Sequence, residues 1–357
     1  MGCTSSAPAE DPAQKAAQQR RRLSVNPQHV GDISGNGPKA PEPEPTQAKA
    51  EVKAESHDLD GLTELEFKAR GKCKHASLSK KGFVPYNKNK VNQDREVVKF
   101  AMQNDASICL FAVMDGHGEW GHLVAQFVKE HLPEYLTKQP NLKSDPPQAI
   151  LTGVQQMVAE LGHSNINCAF SGTTAIFTVK VNDTLYVANI GDSRCVLARS
   201  KPDGSIEAVA LSTDQKPENP DEKARILKAG GRVEPLPGPP GEDCGPPRVW
   251  LAEVDVPGLA MSRSIGDEVS QTVGVISVPE ILKHEIDGSS DLFAIWATDG
   301  VWEFISNQEA VELVHKHRKS LKTATEELVK AAHERWTKEE EVVDDITCII
   351  LDFQPIS

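Results

Sequence analysis

No run of eighteen or more apolar residues occurs in this sequence, and no charged start leads into an apolar stretch, which sets aside a membrane span and a secretory signal. The expectation is a chain made and kept in the cytosol. No C-x-x-C pair occurs either. Seven cysteines (Cys3, Cys73, Cys109, Cys168, Cys195, Cys244, Cys348) are odd in number and scattered, which excludes a zinc ribbon or a disulfide framework and reads as reduced thiols. Basic residues are in short supply: 39 Lys and Arg face 52 Asp and Glu, for a formal net charge of −13. Nucleic-acid binders hold phosphate with clustered Lys and Arg, so that class is disfavoured and a cation is better company. What is there is 38% apolar composition over 357 residues, enough for a substantial core.

From Met1 to about Asp60 the chain is rich in Ala, Pro, Gln and Glu, with "PKAPEPEPTQ" at its middle. Such a segment buries too little apolar surface to offset its ordering entropy, so residues 1–60 are expected to be a disordered tail ahead of one folded domain, 61–357. The segment to His57 carries seven Lys or Arg and seven Asp or Glu, so the whole −13 falls on the remainder. Two addresses stand in the tail. "MGCTSS" fits M-G-x-x-x-[ST], which points to myristoylation of Gly2, and Cys3 is placed for palmitoylation. Two acyl chains hold a membrane where one does not, so the expectation is peripheral association with the inner face of the plasma membrane. "RRRLSV" sets Ser24 behind Arg21, Arg22 and Leu23, a pattern for basophilic kinases, and the arginines themselves suit anionic lipid.

Beyond Leu62 strands dominate. "SICLFAVM" is an apolar run of strand length, and "TTAIFTVKVNDTLYVANIGDSRCVLAR" holds three β-rich runs, the first two joined at the tight-turn pair Asn182-Asp183. "SIEAVALS", "DLFAIWATD" and "DITCIILDF" add further strands. Helices lie between them. Trp120, Leu123, Val124, Phe127, Val128, Leu132, Tyr135 and Leu136 recur at three and four, "DEKARILKAGG" stops at glycines, "SNQEAVELVHKH" opens with Ser306 and Glu309 as a capping box, and "TATEELVKAAHERW" makes another helix. Hairpin-linked strands with helices in separate blocks predict an α+β fold, two packed antiparallel sheets flanked by helices. "EPLPGPPGEDCGPP" is read as a surface loop because of its Pro and Gly content.

Acids recur where these strands begin or end. Asp115 closes "LFAVM" and opens "DGHG", Asp299 closes "LFAIWAT", Asp344 and Asp345 open "DDITCIILDF", Asp192 follows "LYVANIG", and Asp94 ends "VNQD". Read singly, each serves equally well as a turn residue. If two sheets pack face to face, however, the ends of their central strands share a rim, and carboxylates gathered there repel unless a cation joins them. Oxygen ligands suit Mg²⁺ or Mn²⁺ rather than zinc, and Gly116, having no side chain, lets its carbonyl come close.

"NQDR", "VMDGHG", "SGTTA", "ANIGDSR", "LAMSRSIGD", "ATDGVWEF" and "DDIT", in that order between Gly71 and Phe353, resemble the metal-dependent Ser/Thr protein phosphatases of type 2C, the PPM family, and most of all its plant and protist members. The resemblance implies a phosphoric monoester hydrolase acting on phosphorylated proteins, with a metal-activated water as nucleophile and no phosphoenzyme; a monomer is expected. It implies two Mg²⁺ or Mn²⁺ ions per subunit, with Asp115 bridging them, the Gly116 carbonyl on one, and Asp299 and Asp344 on the other. Asp94 then holds metal-bound waters, His117 gives a proton to the leaving Ser or Thr oxygen, and Asp192 serves a weaker third ion. Thr173, Thr174 and Arg263 brace the strands around the centre. Two positions depart from the pattern. Gln93 stands where the family commonly has Glu, which puts metal affinity in question. Asn89 stands where animal members carry a phosphate-binding Arg, leaving Lys88 or Lys90 as a point charge for phosphate. Glu303 stands where an Asp often follows the Trp, keeping the charge with a longer reach.

Overall fold

Ile108–Met114, the apolar run that leads into Asp115, is a strand with every residue buried. A strand covered on both faces has no solvent side, so its sequence is continuously apolar instead of alternating. The same holds for Asp291–Ala297 and Ile346–Asp352. This computed structural model describes residues 74–237 and 243–353. Those at 74–235 and 247–353 belong to one compact unit, and 236–237 and 243–246 belong to a second unit of which only these residues are described. The expected tail 1–60, with Gly2, Cys3 and Ser24, lies outside the described residues.

In chain order the elements are β1 (Lys74–Lys80), β2 (Arg95–Lys99), β3 (Ile108–Met114), β4 (Gly116–His117), α1 (Gly121–Thr137), α2 (Pro146–Leu161), β5 (Gly172–Thr173), β6 (Ala175–Val181), β7 (Thr184–Ile190), β8 (Arg194–Ser200), β9 (Ile206–Ala210) and α3 (Pro220–Lys228). They continue with β10 (Arg232–Pro237), β11 (Asp243–Trp250), β12 (Pro257–Leu259), β13 (Ile265–Gly266), α4 (Glu268–Gln271), β14 (Glu280–Glu285), β15 (Asp291–Ala297), α5 (Asp299–Trp302), α6 (Asn307–His317), α7 (Leu321–Glu339) and β16 (Ile346–Asp352).

Two five-stranded antiparallel sheets carry the fold, one ordered β1-β16-β15-β8-β9 and the other β14-β7-β6-β3-β2. Their inner faces meet through Phe111, Val113, Ile176, Leu197, Trp296 and Ile349. The period of two along β3 sends Leu110 and Ala112 to the opposite face, where they pack with Val124, Val128 and Leu132 of α1 and Ile150 and Met157 of α2. The other sheet is covered by Val311 and Val314 of α6 and Leu328 and Trp336 of α7. The α-β-β-α layering expected from hairpins and helix blocks is therefore the one found. Local signals hold as well: Asn182 turns the β6–β7 hairpin with φ 52, a left-handed angle that Asn tolerates, and the Ser306 hydroxyl accepts the Glu309 N–H at 3.2 Å as the cap of α6.

One expectation needs correction. The stretch read as a surface loop, Glu234 to Pro247, is largely strand at both ends, since β10 runs to Pro237 and β11 starts at Asp243; its centre, 238–242, lies outside the described residues. Pro235 and Pro237 lie on β10, an edge strand, where proline is tolerated, whereas Pro246 and Pro247 lie on β11. The sheet order is β10-β11-β12.

A further sheet, β13-β5-β4, consists of two-residue strands that no periodicity can reveal. Its register sets Gly116 opposite Thr173, His117 opposite Gly172, and Gly266 opposite Gly172. This small sheet fixes the backbone of the DGHG motif.

Candidate active site

Four strand ends supply the acids. Asp94 precedes β2, Asp115 follows β3, Asp299 follows β15 by two residues, and Asp344 lies two residues ahead of β16. Antiparallel pairing sets Arg95 against Met114 and Ala297 against Cys348, so each sheet brings one strand start beside one strand end. Between the sheets, Thr298 Oγ1 donates to Asp94 Oδ2 at 3.0 Å, while Thr347 N–H donates to Thr298 Oγ1 at 3.2 Å. Thr174 grips the Asp115 backbone from both sides: its N–H donates to the Asp115 carbonyl at 2.9 Å and its Oγ1 accepts the Asp115 N–H at 3.0 Å. Thr174 thus braces the centre as expected.

Gly116 sits where no side chain fits. A Cβ there would lie 2.4 Å from the Gly121 carbonyl oxygen and 2.8 Å from that of Gln93. Its N–H donates to the Gln93 carbonyl at 3.2 Å, which ties β4 to the loop carrying Asp94.

The acids feel one another. Burial raises the Asp115 pKa well above the ordinary carboxylate value, and Asp94, Asp299 and Asp344 push it further. Burial also raises Asp94, helped by Asp345 and Asp344, and raises Asp344, whose pKa Lys90 partly restrains. Asp299 is pushed up to about 8 by burial and by Asp192 and Asp344. Like charges so placed are costly without a counter-cation. Asp94 is buried, whereas Asp115, Asp299 and Asp344 keep partial access to solvent.

These residues fit hard divalent ions. Oδ1 of Asp94 and Oδ1 of Asp299 are buried with no hydrogen-bond partner, and the potential donors are all oxygen. Among the described residues no three His, Cys, Asp or Glu side chains form a ready metal cage. Carbonyl and water ligands have to complete the coordination, which is how Mg²⁺ is usually held.

His117 Nε2–H donates to Asp267 Oδ2 at 2.6 Å, and His117 Nδ1 is buried without a partner. Burial works to lower the imidazole pKa, but Asp267, Asp192 and Asp299 more than reverse this and raise it. Asp192 already holds a cation, the ammonium of Lys216. Burial disfavours that ammonium, yet Asp192 and Asp299 raise its pKa above the ordinary lysine value. Lys90 is likewise engaged, 2.6 Å from Asp345, while Lys88 is exposed. Gln93 has a use that Glu could not serve: its Nε2 donates to the Gly118 carbonyl at 2.8 Å. Arg263 binds Glu222 at 2.6 Å and the Val278 carbonyl at 2.9 Å, a bracing role, and Thr173 Oγ1 donates to the Thr174 carbonyl at 3.0 Å.

Sequence reasoning passed over three residues. Asp267 ends the quoted "SRSIGD" without being given a role, and Lys216 carried no signal beyond being a lysine near Asp214. Asp345 was read beside Asp344, but its carboxylate anchors backbone: Oδ1 accepts from Gly82 N–H at 2.7 Å and Oδ2 from Gln93 N–H at 2.8 Å. It fastens the loop 81–94 to the start of β16.

An antiparallel double sheet whose rim collects aspartates around a histidine is the layout of a metal-dependent phosphomonoester hydrolase. The family model described as Protein phosphatase 2C matches residues 86–340. The chain is 38% identical to Probable protein phosphatase 2C 72 of Arabidopsis thaliana over 278 residues, 74% of this chain and 82% of that one. It is 38% identical to Probable protein phosphatase 2C 48 of Oryza sativa subsp. japonica over 289 residues, 74% and 80% of the two chains. The fold matches the crystal structure of serine-threonine phosphatase 2C from Toxoplasma gondii with a TM-score of 0.68 at 22% identity, covering 79% of this chain and 95% of that chain. The chain belongs to the protein phosphatase 2C family, and it is a metal-dependent protein Ser/Thr phosphatase. The family depends on Mg²⁺ or Mn²⁺.

Proposed function

We propose that this phosphatase transfers the phosphoryl group of phosphoserine or phosphothreonine directly to water, without a phosphoenzyme, at a centre of two Mg²⁺ or Mn²⁺ ions held by Asp115, the Gly116 carbonyl, Asp299, Asp344 and, through water, Asp94. The observation that carries this is the mutual repulsion of these four aspartates together with the unpartnered oxygens of Asp94 and Asp299. When bound, the pair of ions supplies a water that loses its proton near neutral pH and clamps the attacking and leaving oxygens. His117 donates a proton to the departing Ser or Thr oxygen. Lys88, exposed and close in sequence to Asp94, offers its charge to the phosphate. A third ion at Asp192 has to displace Lys216, so that position is the weakest.

The test is turnover of a phosphoserine peptide by the full chain after chelation and after return of Mn²⁺. Chelated protein is expected to be silent, Mn²⁺ to restore turnover, and quenched reactions with labelled peptide to leave no phosphate on the protein. Full turnover in chelator, or a labelled enzyme, contradicts the reading.

The same proposal sets the protein, as a monomer, at the inner face of the plasma membrane through acylated Gly2 and Cys3, with Ser24 phosphorylation weakening the hold of Arg20–Arg22 on anionic lipid. Its support is the sequence "MGCTSS" and "RRRLSV". Gly2→Ala is expected to move the protein from the membrane to the soluble fraction; unchanged partitioning contradicts the anchor. Among the described residues no helix is long and apolar enough to cross a membrane.

A further inference from the structure

We infer that Asp267 is the positioning residue for His117, holding the imidazole by Nε2 so that Nδ1 is the nitrogen that serves the leaving oxygen. The inference rests on the reading of His117 as the proton donor.

Several independent features converge on this carboxylate. His117 Nε2 and the Ser264 hydroxyl both donate to Asp267 Oδ2, each at 2.6 Å, and Asp267 is only 2% exposed. With Nε2 committed, Nδ1 is the ring nitrogen left buried and unpartnered. An orphaned buried nitrogen is costly in a residue with a merely structural task, and it is what a proton donor awaiting its substrate requires. Asp267 also has left-handed backbone angles, φ 54 and ψ 48, which a non-glycine residue adopts at a cost. Its N–H donates to the Ser171 carbonyl at 2.9 Å and its carbonyl accepts from Gln271 N–H at 3.0 Å, which keeps it there. The small sheet clears the space: His117 lies opposite Gly172, and a Cβ on Gly172 would come within 2.2 Å of Asp267 Oδ2.

In the step so arranged, the Nδ1–H bond of the imidazolium breaks as an O–H bond forms on the leaving Ser or Thr oxygen, which keeps the electron pair of the severed P–O bond. The imidazole is left neutral, its Nε2–H still bound to Asp267 Oδ2. The carboxylate fixes the ring's orientation and leaves Nδ1 as the nitrogen facing the leaving oxygen.

The discriminating measurement is leaving-group dependence in the full chain with saturating Mn²⁺. Phenyl phosphate and a phosphoserine peptide need a proton delivered to the departing oxygen, whereas 2,4-dinitrophenyl phosphate departs as a stable anion. Asp267→Asn is expected to lower kcat on the first two by roughly ten- to a hundredfold, within the range of general acid catalysis, and on the third by less than about threefold. The double variant His117→Ala/Asp267→Asn is expected to be no slower than His117→Ala, because two residues acting as one unit do not add. Ser264→Ala, which leaves the carboxylate with one partner fewer, is expected to show the same split in smaller measure and serves if Asp267→Asn fails to fold. Equal losses on all three substrates, or losses that multiply in the double variant, overturn the inference. If His117→Ala shows the split and Asp267→Asn does not, only the positioning role falls; if His117→Ala shows no split, the proton-donor reading falls with it.

Discussion

Asp115→Asn is expected to lower kcat/KM on a phosphoserine peptide by at least about a thousandfold, roughly 4 kcal/mol of transition-state stabilisation, while making the metal-free protein more stable. Both effects come from one placement. The Asp115 backbone is fixed by Thr174, so its carboxylate cannot withdraw from Asp94, Asp299 and Asp344. In the proposed centre that carboxylate would hold the ions, and an amide could not replace its charge. Without ions it is one of four mutually repelling groups, and neutralising it relieves the others.

The pH dependence follows with a definite sign. These carboxyls have folded-state pKa values raised above the ordinary value of 3.8, with Asp299 at about 8. Between those limits the folded chain binds more protons than the unfolded one, so raising the pH favours unfolding. Metal-free protein is therefore expected to lose stability between about pH 4 and pH 8, with a shallower slope in Asp115→Asn. Thermal melts in chelator across that window check this. Stability that rises with pH over the same range contradicts it.

Trp296→Ala is expected to cost about 3–5 kcal/mol in urea unfolding, the range for deleting a large buried aromatic. Trp296 lies on β15, wholly buried between the sheets, stacked on Phe111 of β3 with ring centroids 5.3 Å apart. Its indole Nε1–H donates to Thr178 Oγ1 of β6 at 2.8 Å, a hydrogen bond from one sheet to the other. Truncation opens a cavity where the two halves of the site are registered against each other and strands the Thr178 hydroxyl. Trp296→Phe keeps the stack and loses the hydrogen bond, so it is expected to cost less, about 1–3 kcal/mol. Because Asp299 follows β15 and Asp115 follows β3, the alanine variant is also expected to need more Mn²⁺ for half-maximal turnover. Unfolding within about 1 kcal/mol of the parent would show that the sheets are held elsewhere.

The architecture was legible because its main strands are buried on both faces: continuous apolar runs such as Ile108–Met114 and Asp291–Ala297 announce themselves without alternation. Acids at their ends were legible for the same reason, since a charged residue closing an apolar run is a break in pattern. The loop reading of residues 234–247 failed because proline content was weighed alone: Pro235 and Pro237 sit on the edge strand β10, which tolerates them, and no local signal announces that Pro246 and Pro247 enter β11. Asp267 and Lys216 stayed hidden for a different cause. Their importance lies in what they touch, His117 across 150 positions and Asp192 across 24, and no local pattern encodes such a contact. The two-residue strands that carry His117 and Gly172 are too short for any periodicity. Gln93 looked like a weakened metal partner, and the structure gives its amide a bond to Gly118 that a carboxylate cannot make.

The most direct measurement is calorimetric titration of Mn²⁺ into the chelator-stripped full chain, beside Asp115→Asn. Uptake of two ions by the parent, with binding at the paired site lost in the variant, is the predicted result. A folded parent that takes up no ion, or a variant that binds like the parent, contradicts the metal centre at these strand ends.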